Sequence, residues 1–268
     1  MRNELITTGR DVGARRRQLV EYLGVSGYSR FADLARVAKV STLTIRRDLK
    51  TLARESLVRV VPGGALPGAD TGGMIHFRQE VSVRREEKQS IARAAAEMVA
   101  DGDSILIDGG TTTYYLAQAL RGRRLHVATN SLPVAEVLGG EPQVEVILLG
   151  GIYYPRTALT MGPQSERELR ELSPRFLFMG VHGVGKDGFT NSNPQLVRAE
   201  RIMMEVAEKT VILADSSKFG RRAMARLAGL GDADALVTDG AVSPRDLETM
   251  KKAGLAVRVA GKSAGRRN

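Results

Sequence analysis

Apolar residues recur along this chain with two different periods, and the change from one to the other divides the sequence. In RRRQLVEYL, residues 15–23, Leu19, Val20 and Leu23 share one face and Gly24 follows, so a first helix is expected over Arg15–Leu23. Phe31, Leu34, Ala35 and Ala38 repeat at the i, i+3, i+4, i+7 spacing of a short second helix that should stop near Lys39-Val40. Ser41 stands where an N-cap belongs, its hydroxyl available to the free amides of a third helix beginning at Thr42. On a wheel at about 100° per residue, Ile45, Leu49 and Leu52 fall together, while Leu43, Arg46, Arg47, Lys50 and Arg54 fall opposite. A strand, Leu57-Val58-Arg59-Val60-Val61, and a Pro62-Gly63-Gly64 turn then read as a wing. Three short helices and a wing predict a winged helix-turn-helix.

Pro67-Gly68-Ala69-Asp70-Thr71-Gly72-Gly73 has no periodicity and marks a linker. Beyond it, Ile91, Ala94, Ala95, Met98 and Val99 mark a helix, and short apolar runs follow at 104–107, 125–129, 144–149, 176–181, 210–214, 235–238 and 255–259. Helix-compatible stretches separate most of them, at 112–120, 132–138, 164–172, 196–208 and 245–252. This alternation predicts an α/β domain with a mainly parallel sheet. The expected organisation is residues 1–66 as the winged helix-turn-helix, 67–76 as linker, and 77–268 as the α/β domain.

Charge sharpens the division. Among 268 residues, 40 Lys and Arg stand against 30 Asp and Glu, a formal net charge of +10. Residues 1–80 hold a net +6 and residues 251–268 another +6, which leaves the middle near neutral. An anionic polymer would therefore meet the ends and not the body. The longest stretch without a charge, Gly109–Leu120, is too short to span a bilayer. No apolar leader with a cleavage site opens the sequence, and it has no cysteine for a disulfide or a thiolate metal site. A cytoplasmic protein is expected.

The third helix carries the first candidate chemistry. A helix in the major groove uses Arg on guanine edges and Arg or Lys on phosphates, so its cationic face suits double-stranded DNA. The residues assigned to DNA are Ser41, Thr42, Leu43, Thr44, Arg46, Arg47 and Lys50 on the helix and Arg59 in the wing. The second candidate is a set of strand ends, where ligands of parallel sheets gather. Asp108-Gly109-Gly110-Thr111-Thr112-Thr113 follows one strand and opens a helix, so its free amides and hydroxyls can wrap an anion. Thr129-Asn130-Ser131, Gly150-Gly151 and Asp215-Ser216-Ser217-Lys218 follow three others. Four such ends describe a site for a small polyol phosphate.

STLTIRRDLKTL followed by LVRVVPGGA is similar to the recognition helix and wing of the DeoR-type bacterial transcription regulators. In one departure, Pro62 stands where the family commonly has His before Gly-Gly. Phe77-Arg78, Lys88, Ile91-Ala92, DGGTTT, TNS, the Gly150-Gly151 pair and ADSSKFG resemble the effector domain of the same regulators, a fold similar to ribose-5-phosphate isomerase. The resemblance implies a repressor of sugar-metabolism genes released by a phosphorylated sugar. It implies that Thr111, Thr112, Thr113 and Lys218 hold phosphate, that Asp108, Asn130 and Asp215 orient hydroxyls, and that His182 and residues 191–193 select the sugar. Gly110, Thr129, Ser131 and Gly151 complete the expected effector site.

Other signals are set aside. Gly183–Gly188 fits G-x-G-x-x-G, but Phe189-Thr190-Asn191 and Pro194 follow where a dinucleotide fingerprint needs an immediate helix. His76, His126 and His182 lack metal-ligand spacing, and His126, inside an apolar strand, reads as structural. No cofactor, metal or catalytic residue is expected. The competing reading is a sugar-phosphate isomerase or deaminase with an accessory N-terminal module, its base drawn from Asp108, Asp215 or Glu200. A basic recognition helix has no use in an isomerase. A nonspecific nucleic-acid scaffold would leave the strand-end motifs unexplained. A homo-dimer or tetramer is expected, because one recognition helix touches few base pairs.

Overall fold

A computed structural model describes residues 12–26, 28–55, 57–68, 77, 80–155 and 157–261; His76, Arg78 and the tail beyond Gly261 lie outside them. The chain divides into two compact units, Met1–Gln79 and Glu80–Asn268.

The first unit contains α1 (Val12–Ser26), a two-residue strand β1 (Ser29–Arg30), α2 (Phe31–Ala38), α3 (Thr42–Arg54), β2 (Val58–Val61) and β3 (Gly64–Pro67). Leu19, Leu23, Leu34, Ile45, Leu49, Leu52, Val58 and Ala65 pack into its core. Helix α1 runs on past Gly24, where the sequence suggested a stop. A glycine inside a helix costs only about 1 kcal/mol, which the packing of Leu19, Val20 and Leu23 outweighs. Helix α2 ends as expected, with Lys39 in the left-handed region at φ 52°. The strands form a three-stranded antiparallel sheet in the order β1-β3-β2. Gly64 makes the wing possible, since a Cβ there would lie 2.3 Å from the Ser29 carbonyl oxygen.

The second unit is built on seven parallel strands. They are β4 (Ser104–Ile107), β5 (Leu125–Thr129), β6 (Val144–Leu148), β9 (Phe176–Gly180), β12 (Lys209–Leu213), β14 (Ala235–Thr238) and β15 (Ala256–Val259). Their order is β15-β14-β12-β9-β4-β5-β6, parallel at every pairing. Ile105, Ile107, Leu125, Val127, Phe176 and Phe178 pack on one face with α4 (Arg85–Ala96), α5 (Thr111–Ala119) and α6 (Leu132–Gly139). Even-numbered Leu106 and Ala128, with Leu177, Met179 and Ile212, pack on the other. That face meets α7 (Pro163–Arg170), α8 (Pro194–Val206) and α9 (Pro244–Lys252). The chain steps outward from β4 to β6, then returns to β9 beside β4 and steps the other way. The carboxyl ends of β4 and β9 are therefore the topological switch point, where ligands of such sheets bind.

Short strands the sequence did not reveal form two additions. β7 (Ile152–Tyr154) and β8 (Leu159–Met161) make a hairpin, and β10 (Gly183–Gly185), β11 (Gly188–Asn191) and β13 (Ala225–Ala228) make a second antiparallel sheet. Runs of three or four residues are too short to display a period. The G-x-G-x-x-G string is the β10–β11 hairpin, with Gly185 opposite Gly188. Gly188 is required because a Cβ would fall 2.0 Å from the Ala228 carbonyl oxygen. Among the described residues no helix is long and apolar enough to cross a membrane, and no group of His, Asp or Glu is placed to hold a metal.

Candidate DNA-reading face and effector site

Helix α3 is held by its start and by its inner face. Ser41 accepts the Thr44 N–H at 3.2 Å, and the Ser41 and Thr44 hydroxyls lie 2.9 Å apart. Ile45, Leu49 and Leu52 are buried. Asp48 shares that inner face and accepts hydrogen bonds from Arg15 Nε at 2.7 Å and Arg16 Nε at 3.0 Å, so two of the N-terminal arginines brace helices against each other. An acidic residue within an apolar stripe was the signal for this bridge, and the wheel passed over it. Outward, the Arg46 guanidinium lies 4.7 Å from the centre of the Phe31 ring. Thr42, Leu43, Arg47 and Lys50 are exposed on the helix, and Arg59 is exposed on β2. The result is a cationic ridge beside a wing, sized for a major groove.

In the second unit the expected effector residues fall at the strand ends, in two clusters. The first lies at the switch point. Asp108 follows β4, its N–H bonded to the Phe178 carbonyl of β9 at 3.0 Å. Its side chain is buried, and its charge acts on Glu200 of α8, itself fully buried. Burial pushes Asp108 up to about 7 against the opposing Gly109 N–H. Glu200 is pushed up to about 9, first by burial and then by Asp108, with the Asn191 amide opposing. Asn191 Nδ2 donates to Glu200 Oε1 at 2.5 Å, and Asn191 Oδ1 accepts the His182 N–H at 2.7 Å with His182 Nδ1 also 2.7 Å away. Asn130 follows β5 as Asp108 follows β4, and among the described residues both of its side-chain amide atoms are buried without a partner, as are Asp108 Oδ1 and Glu200 Oε2.

The second cluster is cationic and lies beyond β12. Asp215 caps the 3-10 turn Ser216–Lys218 by accepting the Ser217 N–H at 2.9 Å. Arg84 Nε lies 3.0 Å from Asp215 Oδ1, and Arg84 also donates to the Ser216 hydroxyl at 2.7 Å. Asp239 accepts the Ser216 N–H at 2.6 Å. Lys88, buried on α4, donates to the Glu80 carbonyl at 2.6 Å. Burial holds its ammonium below the usual lysine range; Glu80 and Asp215 oppose this, while Lys218 and Arg84 add to it. Among the described residues the Lys218 ammonium makes no hydrogen bond or ion pair.

Several expected ligands also support the strand ends. Thr129 donates to the Ile107 carbonyl at 2.7 Å and accepts the Ser131 N–H, Ser131 caps α6 through the Val134 N–H, and Thr113 donates to the Gly110 carbonyl at 3.0 Å. Gly110 is the N-cap of α5, whose first turn carries Thr111 and Thr112. Gly151 lies in the turn before β7, packed against the Met161 carbonyl. His126 lies within the strand β5, as expected, with an exposed ring that pairs with Glu145 of the neighbouring β6 at 2.9 Å.

The family profiles match both units: the DeoR-like helix-turn-helix domain over residues 15–67 and the DeoR C terminal sensor domain over residues 83–240. The chain belongs to the DeoR family. Its DeoR relatives include the HTH-type transcriptional regulator YulB of Bacillus subtilis (strain 168), 32% identical over 90% of this chain and 93% of that one. The glycerol-3-phosphate regulon repressor of Escherichia coli (strain K12) is 32% identical over 84% and 90%. The putative aga operon transcriptional repressor of Escherichia coli O157:H7 is 31% identical over 92% and 93%. Among solved structures, ribose 5-phosphate isomerase A from Neisseria gonorrhoeae covers 53% of this chain and 54% of its own at 21% identity, with a TM-score of 0.38. As a DeoR regulator the chain acts in transcription and is not an enzyme. Arg84 and Asp239 had no part in the expected site. Arg84 meets Ser216 across 132 positions, a separation at which no local pattern signals contact.

Proposed function

We propose that this DeoR-family regulator represses sugar-metabolism genes and releases its operator when a phosphorylated sugar binds the strand ends of the sensor unit. One observation carries the reading: Lys88 is buried, its ammonium disfavoured first by that burial, and Lys218 nearby has an ammonium with no ion pair among the described residues. A phosphate dianion gives the Lys218 ammonium the partner it lacks. The helix start at Thr111 and Thr112 supplies further donors. Asp108, Asn130, His182 and Glu200 form the polar end that takes sugar hydroxyls. A relative named as the repressor of a glycerol-3-phosphate regulon supports a small phosphorylated polyol as the signal.

Thermal unfolding of the full chain against a panel of sugar phosphates and inorganic phosphate tests this. A true effector at 100 times its Kd stabilises by about 2.7 kcal/mol and releases operator DNA. Lys218→Ala should abolish release without changing affinity for DNA. A variant that still releases at the wild-type effector concentration places phosphate elsewhere.

A further inference from the structure

Few side chains in the first turns of α3 are available to a DNA groove. The hydroxyls of Ser41 and Thr44 lie 2.9 Å apart at the helix cap, and the Arg46 guanidinium rests over the Phe31 ring. Thr42, Leu43 and Arg47 remain outward, and Leu43 alone of these is apolar. It is 61% exposed, whereas Ile45, Leu49 and Leu52 of the same helix are at most 2% exposed. It takes no part in the apolar core of its unit. A single exposed leucine is ordinary on a protein surface. This one occupies the second residue of the helix, one turn before Arg47, in the N-terminal portion that meets base edges in helix-turn-helix complexes.

In the major groove the base pairs differ by donors, acceptors and one apolar feature, the C5 methyl group of thymine. A leucine side chain strips water from donors and acceptors without replacing their hydrogen bonds, and gains only against that methyl. Four residues of helix span about 6 Å, and base pairs rise about 3.4 Å, so Leu43 and Arg47 act within two base pairs of each other. We propose that Leu43 selects thymine at one position of each operator half-site by packing against its methyl group, beside the base pair that Arg47 contacts. This rests on the assignment of α3 as the DNA-reading helix.

The test uses the full chain and a pool of random duplexes, from which wild type and Leu43→Ala each select their preferred sites. Wild type should select one thymine per half-site whose replacement by deoxyuridine weakens binding about fourfold, the worth of one methyl-sized group removed from water. Leu43→Ala should lose that preference, keep the others, and be indifferent to the deoxyuridine. Its thermal unfolding should match wild type, because the side chain is exposed. The proposal is overturned if deoxyuridine is silent at every thymine for wild type, or if it weakens the variant equally. It is also overturned if both proteins select the same thymines, an outcome that leaves DNA reading by α3 intact. A wild type that enriches no sequence removes the DNA-reading assignment itself, and the proposal with it.

Discussion

Neighbouring arginines in the string Ile45-Arg46-Arg47-Asp48 illustrate how one residue differs from the next. Arg46 is steadied by the Phe31 ring, whereas Arg47 reaches outward from an exposed position. Substituting either by Ala leaves the core residues of α3 in place, so folding should persist while DNA binding falls. A lost bidentate base contact costs about 1–3 kcal/mol and relaxes preference at one base pair, whereas a lost phosphate contact weakens all sequences alike and flattens the salt dependence. Binding to operator and random DNA over a salt series separates the two, and unchanged binding in both variants removes the assignment. At the opposite extreme of exposure, Asp108 and Glu200 keep their protons to about pH 7 and about pH 9, well above the ordinary values of 3.8 and 4.5. Above pH 4.5 the unfolded chain binds fewer protons at these sites than the folded one. Stability therefore falls as pH rises, by up to about 1.4 kcal/mol per pH unit for each acid. The contribution of Asp108 ends near pH 7 and that of Glu200 near pH 9. Glu200→Gln should flatten the decline, most visibly above pH 7, in urea unfolding of the sensor unit at pH 5.5, 7 and 8.5. A wild type whose stability holds level across that range would contradict a buried pair of protonated acids.

At the scale of elements, α3 was legible because three independent signals coincide: the Ser41 cap, the Ile45-Leu49-Leu52 stripe and the following wing strand. The seven parallel strands were legible because each is a short apolar run bounded by turns. Elements that depend on distant partners were not. β10, β11 and β13 hold few residues and exist because Asn191 and Ala225 are brought together from separate parts of the chain. The acidic side of the candidate effector site was anticipated at Asp108, beside its glycines, but the pairing with Glu200 depends on α8 lying across the sheet. Within the first unit, the docking of α1 on α3 turns on Asp48, which takes both Arg15 and Arg16. Asp48→Ala removes the carboxylate that Arg15, 9% exposed, and Arg16 both meet. Removing one partner of a buried pair costs about 3–5 kcal/mol. The variant should therefore lose helical signal from the first unit and DNA binding together, in contrast to Arg47→Ala. Circular dichroism melting beside a binding titration checks this, and a variant that melts like wild type would show that the bridge adds little.

For the whole molecule, a single recognition helix reads only a few base pairs, so specificity calls for two copies on half-sites about 34 Å apart. Sedimentation at micromolar protein should return a dimer or a larger symmetric assembly; a strict monomer that still protects a long operator would contradict it. The order of the seven strands also sets the course of folding. β4 lies inside the sheet, yet Ile105 finds its partner Phe176 only after β5, β6 and the β7–β8 hairpin have passed, whereas the winged helix-turn-helix closes with pairings such as Ser29 with Ala65. Pairings between distant segments form slowly. During synthesis the DNA-reading segment is complete while the sensor sheet still lacks half its strands, and β4, an interior strand, waits with one edge bare until the second half of the chain arrives.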